Sequence, residues 1–429
     1  LRASALLLTL LLCLSAGAQY QMDWLTFPKV DNGEDVYIND AVTDNDGNVY
    51  AHTLRNKRNL VNGNSYDYRQ SVVKIGATGT LDWEVIVSDI YLPQYNYYKL
   101  LELRNGTIYT LTYEHDSIKL HCISPSGNHI ISYSDTIFGS IYQANYEATL
   151  FNAANGHLFL QVQSHIPQDM PNRILEFDTA DAFVKAIRLP GILSWGAADF
   201  TGGDAQGNLI VAYLEQTGPG EFDRHVIKYQ PDGTISWDTV IVTDQGSWLA
   251  LQVDSSGNFY VKDSVQLLKF DKNKVLLWSF PLPDTYIPGS VFLNNGNTYL
   301  LVADLLASPT SFRAICLLPN GTEKYNKPVP FSNDINSAIF TANKKGEVFF
   351  CSIQESQQNI VGNIEYGLGS VATIHKLDTL GNLLFTYRDT ILYPVRDMGV
   401  AHSKIAVDNN DNVYFNYRFK NPQAIPYAI

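Results

Sequence analysis

The chain has 429 residues, 45% of them hydrophobic and 17% charged, which excludes a disordered or fibrous protein. Asp and Glu number 43 against 30 Lys and Arg, a net charge of -13 with no long basic run. That balance disfavours binding to nucleic acid or an anionic membrane, both of which need a positive patch.

In chain order, the first element is a secretory signal. Arg2 supplies the positive charge, Leu6 to Leu14 the apolar core, and Ala16-Gly17-Ala18 an A-x-A site, so a cut is expected after Ala18. The apolar run is too short to span a bilayer. Cys13 lies inside that run and not in a lipobox, so no lipid anchor is expected. Pro and Gly are spread through residues 19–429 without a linker, and one domain is expected there, secreted, periplasmic or held at the cell surface. Cys122, Cys316 and Cys351 form no close pair and read as small buried thiols, with a Cys316–Cys351 bridge as the alternative.

The stretch DNDGNVY (Asp44 to Tyr50) returns as DAQGNLIV at Asp204, DSSGNFYV at Asp254 and DNNDNVYF at Asp408, with looser copies at Leu103, Ala153, Leu293 and Asn343. The anchors are Gly47, Gly106, Gly156, Gly207, Gly257, Gly296, Gly346 and Asp411, a period near fifty residues. Such a period marks a solenoid, a propeller or an array. Between these copies runs a second motif, a glycine followed four residues later by an aromatic: Gly79 and Trp83, Gly233 and Trp237, Gly321 and Tyr325, Gly381 and Phe385. Each repeat therefore reads as two hairpins, or four strands. The acids of the first motif read as turn formers, because Arg55 stands where a calcium loop needs its bidentate carboxylate and the looser copies drop the acids.

In nearly every copy the strand after the first turn carries two adjacent apolar residues, as in Val49–Tyr50, Leu158–Phe159, Phe259–Tyr260 and Val348–Phe349, with Thr298 the exception. Neighbours on a strand face opposite ways, so both faces must be covered. A radial stack of sheets does this, and a two-layer sandwich does not. The expected fold is an all-β propeller of four-stranded antiparallel blades. Eight blades are preferred and seven are the alternative, with Asp23 to Val30 and Ala424 to Ile429 completing the last blade and closing the ring.

The D-x-x-G-N-x-Y-V hairpins resemble those of secreted bacterial β-propeller repeat proteins, and the D-x-x-G-x-x-x-W hairpins are similar to the tryptophan-docking repeats of quinoprotein propellers. The two motifs cover nearly the whole chain after residue 18 but specify a scaffold, not a chemistry. The quinoprotein likeness implies calcium ligands and often adjacent cysteines or a haem motif. The chain has neither adjacent cysteines nor C-x-x-C-H, so no cofactor and no metal site is expected.

In a propeller the second-to-third strand connections and the blade-to-blade connections share one face. Here they are long, as in Leu54 to Ser71, Ser164 to Arg173, Glu215 to His225 and Ile353 to Ser370, and long loops on a rigid scaffold collect binding residues. Trp195, Trp248, Tyr98 and Tyr146 stand at or just ahead of innermost strands, where they read as an aromatic platform or as packing between blades. Arg55 and Arg58, beside Tyr66 and Tyr68, read as an anion or polysaccharide site or as a solvated loop. Asp169, Arg173, Asp223, Arg224 and Arg396 add charged groups on that face. Asn105 and Asn320 each begin an NGT sequon on an expected hairpin turn. No nucleophile elbow, phosphate loop or H-E-x-x-H motif is present. These features point to a monomeric, secreted, non-catalytic binding scaffold for a glycan, peptide or protein. The alternatives are a propeller enzyme (lyase, hydrolase or quinoprotein-like oxidoreductase) with its site at the channel mouth, and the propeller part of a larger exported surface protein.

Overall fold

The repeat folds where its turn residues let the chain reverse. At the first turn the Asp44 N–H donates to Asn48 O (3.1 Å), the Gly47 N–H donates to Asp44 O (3.4 Å), and Gly47 sits at φ +82°. The same pair of bonds closes the second hairpin at Gly76–Thr80, with Gly79 at φ +81°. This is a type I turn followed by a left-handed residue, the usual three-residue hairpin loop. The degenerate copies keep the geometry without the glycine: Asp181 holds φ +66° and Lys274 φ +72°.

The computed structural model describes residues 34–415 apart from 59–65, 89–100, 115–116, 137–145, 165–172, 190–200, 219–220, 243–249, 263–265, 283–285, 305–310, 331–337, 356–357, 362–363, 368–369, 392–404 and 409–411. Seven antiparallel four-stranded sheets follow in order, within residues 34–88, 101–136, 146–188, 201–242, 250–281, 286–329 and 338–391. We call them blades 1 to 7. In each, the strands run from inner to outer edge in chain order, and blade 7 carries an extra hairpin, Gln358–Val361 with Ile364–Gly367, between its second and third strands. A two-stranded sheet, Ile405–Val407 with Val413–Phe415, touches the inner strands of both blade 7 and blade 1. Seven complete blades match the alternative count, and the two-stranded sheet occupies the eighth position. The signal, Asp23 to Val30 and Ala424 to Ile429 lie outside the described residues.

The apolar pairs are covered on both faces, as the pattern requires. From Val49–Tyr50 to Val348–Phe349, none of the seven pairs is more than 7% exposed, and Val413–Tyr414 is half-buried. Covering one such side chain contributes roughly 1.5–3 kcal/mol. A single apolar cluster runs through Phe159 in blade 3, Ile210 in blade 4 and Phe259 in blade 5, so the core lies between blades, not within them.

Polar contacts cross the seams both to the next blade and back to the one before, as where Asn152 of blade 3 donates to Glu102 Oε1 of blade 2 (2.8 Å). On the inner side, Arg104 of blade 2 donates to Gly156 O of blade 3 (3.1 Å), and Tyr299 of blade 6 to Gly346 O of blade 7 (3.4 Å). Tyr414 of the last pair donates to Gly47 O of blade 1 (3.0 Å), the same step across the closure. On the outer side, Trp83 of blade 1 donates to Pro125 O of blade 2 (3.0 Å), and Trp278 of blade 5 to Pro319 O of blade 6 (3.0 Å). Each indole lies on the turn glycine of the next blade, Gly127 or Gly321, where an added Cβ would meet it at 3.2 and 2.5 Å.

The buried-thiol reading holds for two of the three cysteines, and the expected long loops need correction. Cys316 is a free buried thiol, as is Cys122, so no Cys316–Cys351 bridge forms. The long connections of blades 1, 4 and 7 are largely strand: Val49–Arg58 pairs with Tyr66–Ile75 as far as Arg58↔Tyr66, and Leu209–Gly218 pairs with Glu221–Tyr229. Ladder hydrogen bonds use the backbone, so a polar stretch beyond the core continues them as well as an apolar one.

Candidate functional site

The two central strands of blade 4, Leu209–Gly218 and Glu221–Tyr229, far outrun its three-residue inner strand Thr201–Gly203. They carry side chains toward the face opposite the tight turns. Register puts Tyr213 opposite His225 and Glu215 opposite Asp223, and residues directly opposite, or two apart on one strand, share a face. The outer strand Ile235–Val242 adds Asp238.

These groups form one hydrogen-bonded cluster. His225 Nδ1 lies 3.0 Å from Asp238 Oδ1, and His225 Nε2 lies 3.1 Å from Glu215 Oε2. The Tyr213 hydroxyl donates to Asp238 Oδ2 (2.7 Å), and its ring stacks on the imidazole with centroids 4.8 Å apart. Burial, followed by the Asp238 carboxylate, pushes the Tyr213 phenol far above its usual range, so it stays a donor. His225 is the covered link between two carboxylates that solvent reaches: its side chain is 14% exposed, against 36% for Asp238 and 52% for Glu215. Asp238, anchored by the phenol, orients the ring, and the other ring nitrogen points at a carboxylate that solvent reaches. Such an arrangement can hydrogen-bond a polar ligand or pass a proton to one.

The predicted residues fare differently. Asp223, half-buried, belongs to the same hairpin, and Arg224 pairs with Leu214 beside it. Arg55 is not a free anion ligand: it is buried in the second strand of blade 1 and bonds Glu84 Oε2 at 3.0 Å. Blade packing takes it because the strand continues where a loop was expected. Arg58 and Tyr66 face each other across the same ladder, and Tyr68 pairs with Asn56. Arg173 opens the third strand of blade 3, half-buried, opposite Val162 and Arg188. Tyr146 begins the inner strand of blade 3, opposite Ser164. Trp195, Trp248, Tyr98, Asp169 and Arg396 lie outside the described residues. Sequence reading missed Tyr213, Glu215, His225 and Asp238 as a group. The available signal was the spacing Tyr-x-Glu and Asp-x-His on the two arms of one hairpin.

No protein-family model and no curated protein sequence matches the chain. Solved structures do. A prolyl endopeptidase is 11% identical with a TM-score of 0.51, covering 89% of this chain, which spans 54% of that protein. The β-propeller domain of the Trilobed protease from Pyrococcus furiosus, with an open velcro topology, is 11% identical at a TM-score of 0.46, covering 79% of this chain and 93% of that one. A protein of unknown function from Bacteroides caccae is 13% identical at a TM-score of 0.36, covering 60% and 90%. At 11% identity the likeness to the prolyl endopeptidase concerns the fold and no activity.

Proposed function

We propose that this chain is an exported, non-catalytic binding scaffold whose loop-bearing face takes up a glycan, peptide or protein, with the blade 4 cluster as a polar contact point. The observation that carries this reading is the Tyr213–Asp238–His225–Glu215 chain, which ends in an exposed carboxylate. A ring packed on both faces of every blade holds such groups without reorganisation, which lowers the cost of binding. The leader supports export. Screening the purified protein on glycan and peptide arrays, with Glu215→Gln and His225→Gln in parallel, tests it. Losing one charge-assisted hydrogen bond weakens binding by about 1.5–3 kcal/mol, roughly ten- to a hundred-fold. Ligands held equally by wild type and both variants would remove the cluster from the reading.

One observation favours a second reading. A carboxylate-oriented imidazole beside a second carboxylate is also an acid–base pair, which suits a propeller enzyme. Array ligands that wild type cleaves and His225→Gln merely binds would establish that alternative.

A further inference from the structure

Four Asn–Gly pairs fall among the described residues: Asn105–Gly106, Asn155–Gly156, Asn295–Gly296 and Asn320–Gly321. This dipeptide is open to intramolecular imide chemistry, because glycine sets no Cβ beside the attacking nitrogen and resists few backbone rotations. The reaction needs a mobile side-chain amide and an unengaged glycine N–H. The structure separates the four on both counts.

At Asn155 the amide oxygen accepts the His157 N–H (3.0 Å), and Gly156 N–H donates to Ala153 O (2.9 Å). At Asn320 the amide oxygen accepts from Thr322 N (3.1 Å) and Oγ1 (2.7 Å), and Gly321 N–H donates to Leu318 O (2.9 Å). Asn105 and Asn295 are a matched pair. Each opens a two-residue turn at φ +50°, followed by a glycine at +82° or +76°. Asn295 Nδ2, however, donates to Lys344 O of the next blade. The Asn105 side chain is exposed and makes no hydrogen bond among the described residues, and the Gly106 N–H lies outside the Arg104↔Thr107 pairing.

We propose that Asn105 converts spontaneously to aspartate and isoaspartate, a covalent mark of age at the seam between blades 2 and 3. The Gly106 nitrogen loses its proton to water and bonds to Asn105 Cγ. The Cγ–Nδ2 bond breaks, and Nδ2 takes up a proton and leaves as ammonia. Water then opens the imide, at the side-chain carbonyl to give aspartate or at the main-chain carbonyl to give isoaspartate. Water is the only co-reactant, and nothing is oxidised or reduced.

The position gives the mark its effect. Isoaspartate inserts a methylene into a turn that has only two residues to join Leu101–Arg104 to Thr107–Glu114. Arg104, next in the chain, clasps blade 3: it donates to Gly156 O (3.1 Å) and Asp178 O (3.0 Å), and pairs with Asp181. Shifting the turn shifts the clasp.

Incubating the folded protein at mildly alkaline pH and mapping its peptides by mass spectrometry tests the proposal, with isoaspartyl methyltransferase labelling to identify the product. The peptide containing Asn105 is expected to convert several-fold faster than those with Asn155, Asn295 and Asn320, and the four rates should converge in urea. Aged wild type should melt below fresh protein. Asn105→Gly keeps the positive φ and lacks the amide, so it should age without that loss. Asn295 or Asn320 converting first, or Asn105 surviving in the folded protein, overturns the site. Equal loss of melting temperature in aged wild type and aged Asn105→Gly overturns its effect on the seam.

Discussion

Asp44 accepts four hydrogen bonds: Asp46 N and Asn48 N on Oδ1 (both 2.9 Å), Asn48 Nδ2 (2.7 Å) and the Tyr50 hydroxyl (3.0 Å) on Oδ2. All of its lone pairs are therefore occupied by its own turn. Burial raises its pKa, but the bonds from Asn48, Tyr50 and Asp46 outweigh that and leave the carboxyl below its usual value. Gly47 in the same turn sits at φ +82°, and an added Cβ would lie 3.0 Å from Asp408 Oδ2 and 3.2 Å from the Tyr414 hydroxyl. Gly47→Ala should therefore cost about 1–2 kcal/mol in chemical denaturation. Lys274→Gly, at φ +72° in a degenerate copy, should be neutral or stabilise by up to about 1 kcal/mol, since relief of the backbone offsets the lost contact over the Trp237 ring.

Histidines give the residue scale its pH dependence. Burial pushes His52 down to about 4, His121 to about 3 (with His129 adding to the effect) and His375 to about 4. The folded state keeps them neutral while the unfolded chain takes up protons below about 6.5, so the unfolded state binds more protons and stability falls as pH drops. Three such groups contribute up to roughly 4 kcal/mol per pH unit between about pH 6 and 4. Urea unfolding at stepped pH reads the slope, and a flat profile across that window would contradict the neutral burial of these three.

At the scale of the element, the outer hairpins act as docking units. Trp83 and Trp278 each cap the next blade with one indole hydrogen bond and one face on a glycine. Trp278→Ala should lower stability by about 2 kcal/mol, and a larger residue at Gly321 should mimic it by pushing the indole off its seat. Calorimetry of the two single variants and the double variant checks this, because the effects should not add. Both hairpins were legible in the sequence, since glycine and aromatic positions recur at fixed offsets. The extent of the strands was not. Arg55 to Tyr68 looks like a loop because its residues are polar, yet ladder pairing reaches Arg58↔Tyr66. The blade 4 cluster was not legible as a group: its hairpin and Asp223 were singled out but none of the four members, and Asp238 comes from the outer strand, where register sets it opposite Ile227 and within reach of His225.

At the scale of the whole molecule, the account depends on blades that cover one another in a closed circuit. All seven blades bury a pair at the same position of the second strand, so the sequence period was enough to infer the architecture. Closure was harder to read, because the last described unit has only two strands. Its Val413–Tyr414 pair is more exposed than the other seven, yet Tyr414 reaches Gly47 O at 3.0 Å, 367 positions away in the chain. Hydrogen–deuterium exchange on wild type and Tyr414→Ala tests this most directly. The closed ring predicts faster exchange in Glu34–Thr43 and Val49–Arg58 of blade 1, with blade 4 unchanged. Unaltered protection in blade 1, or a loss spread evenly over all blades, would contradict it.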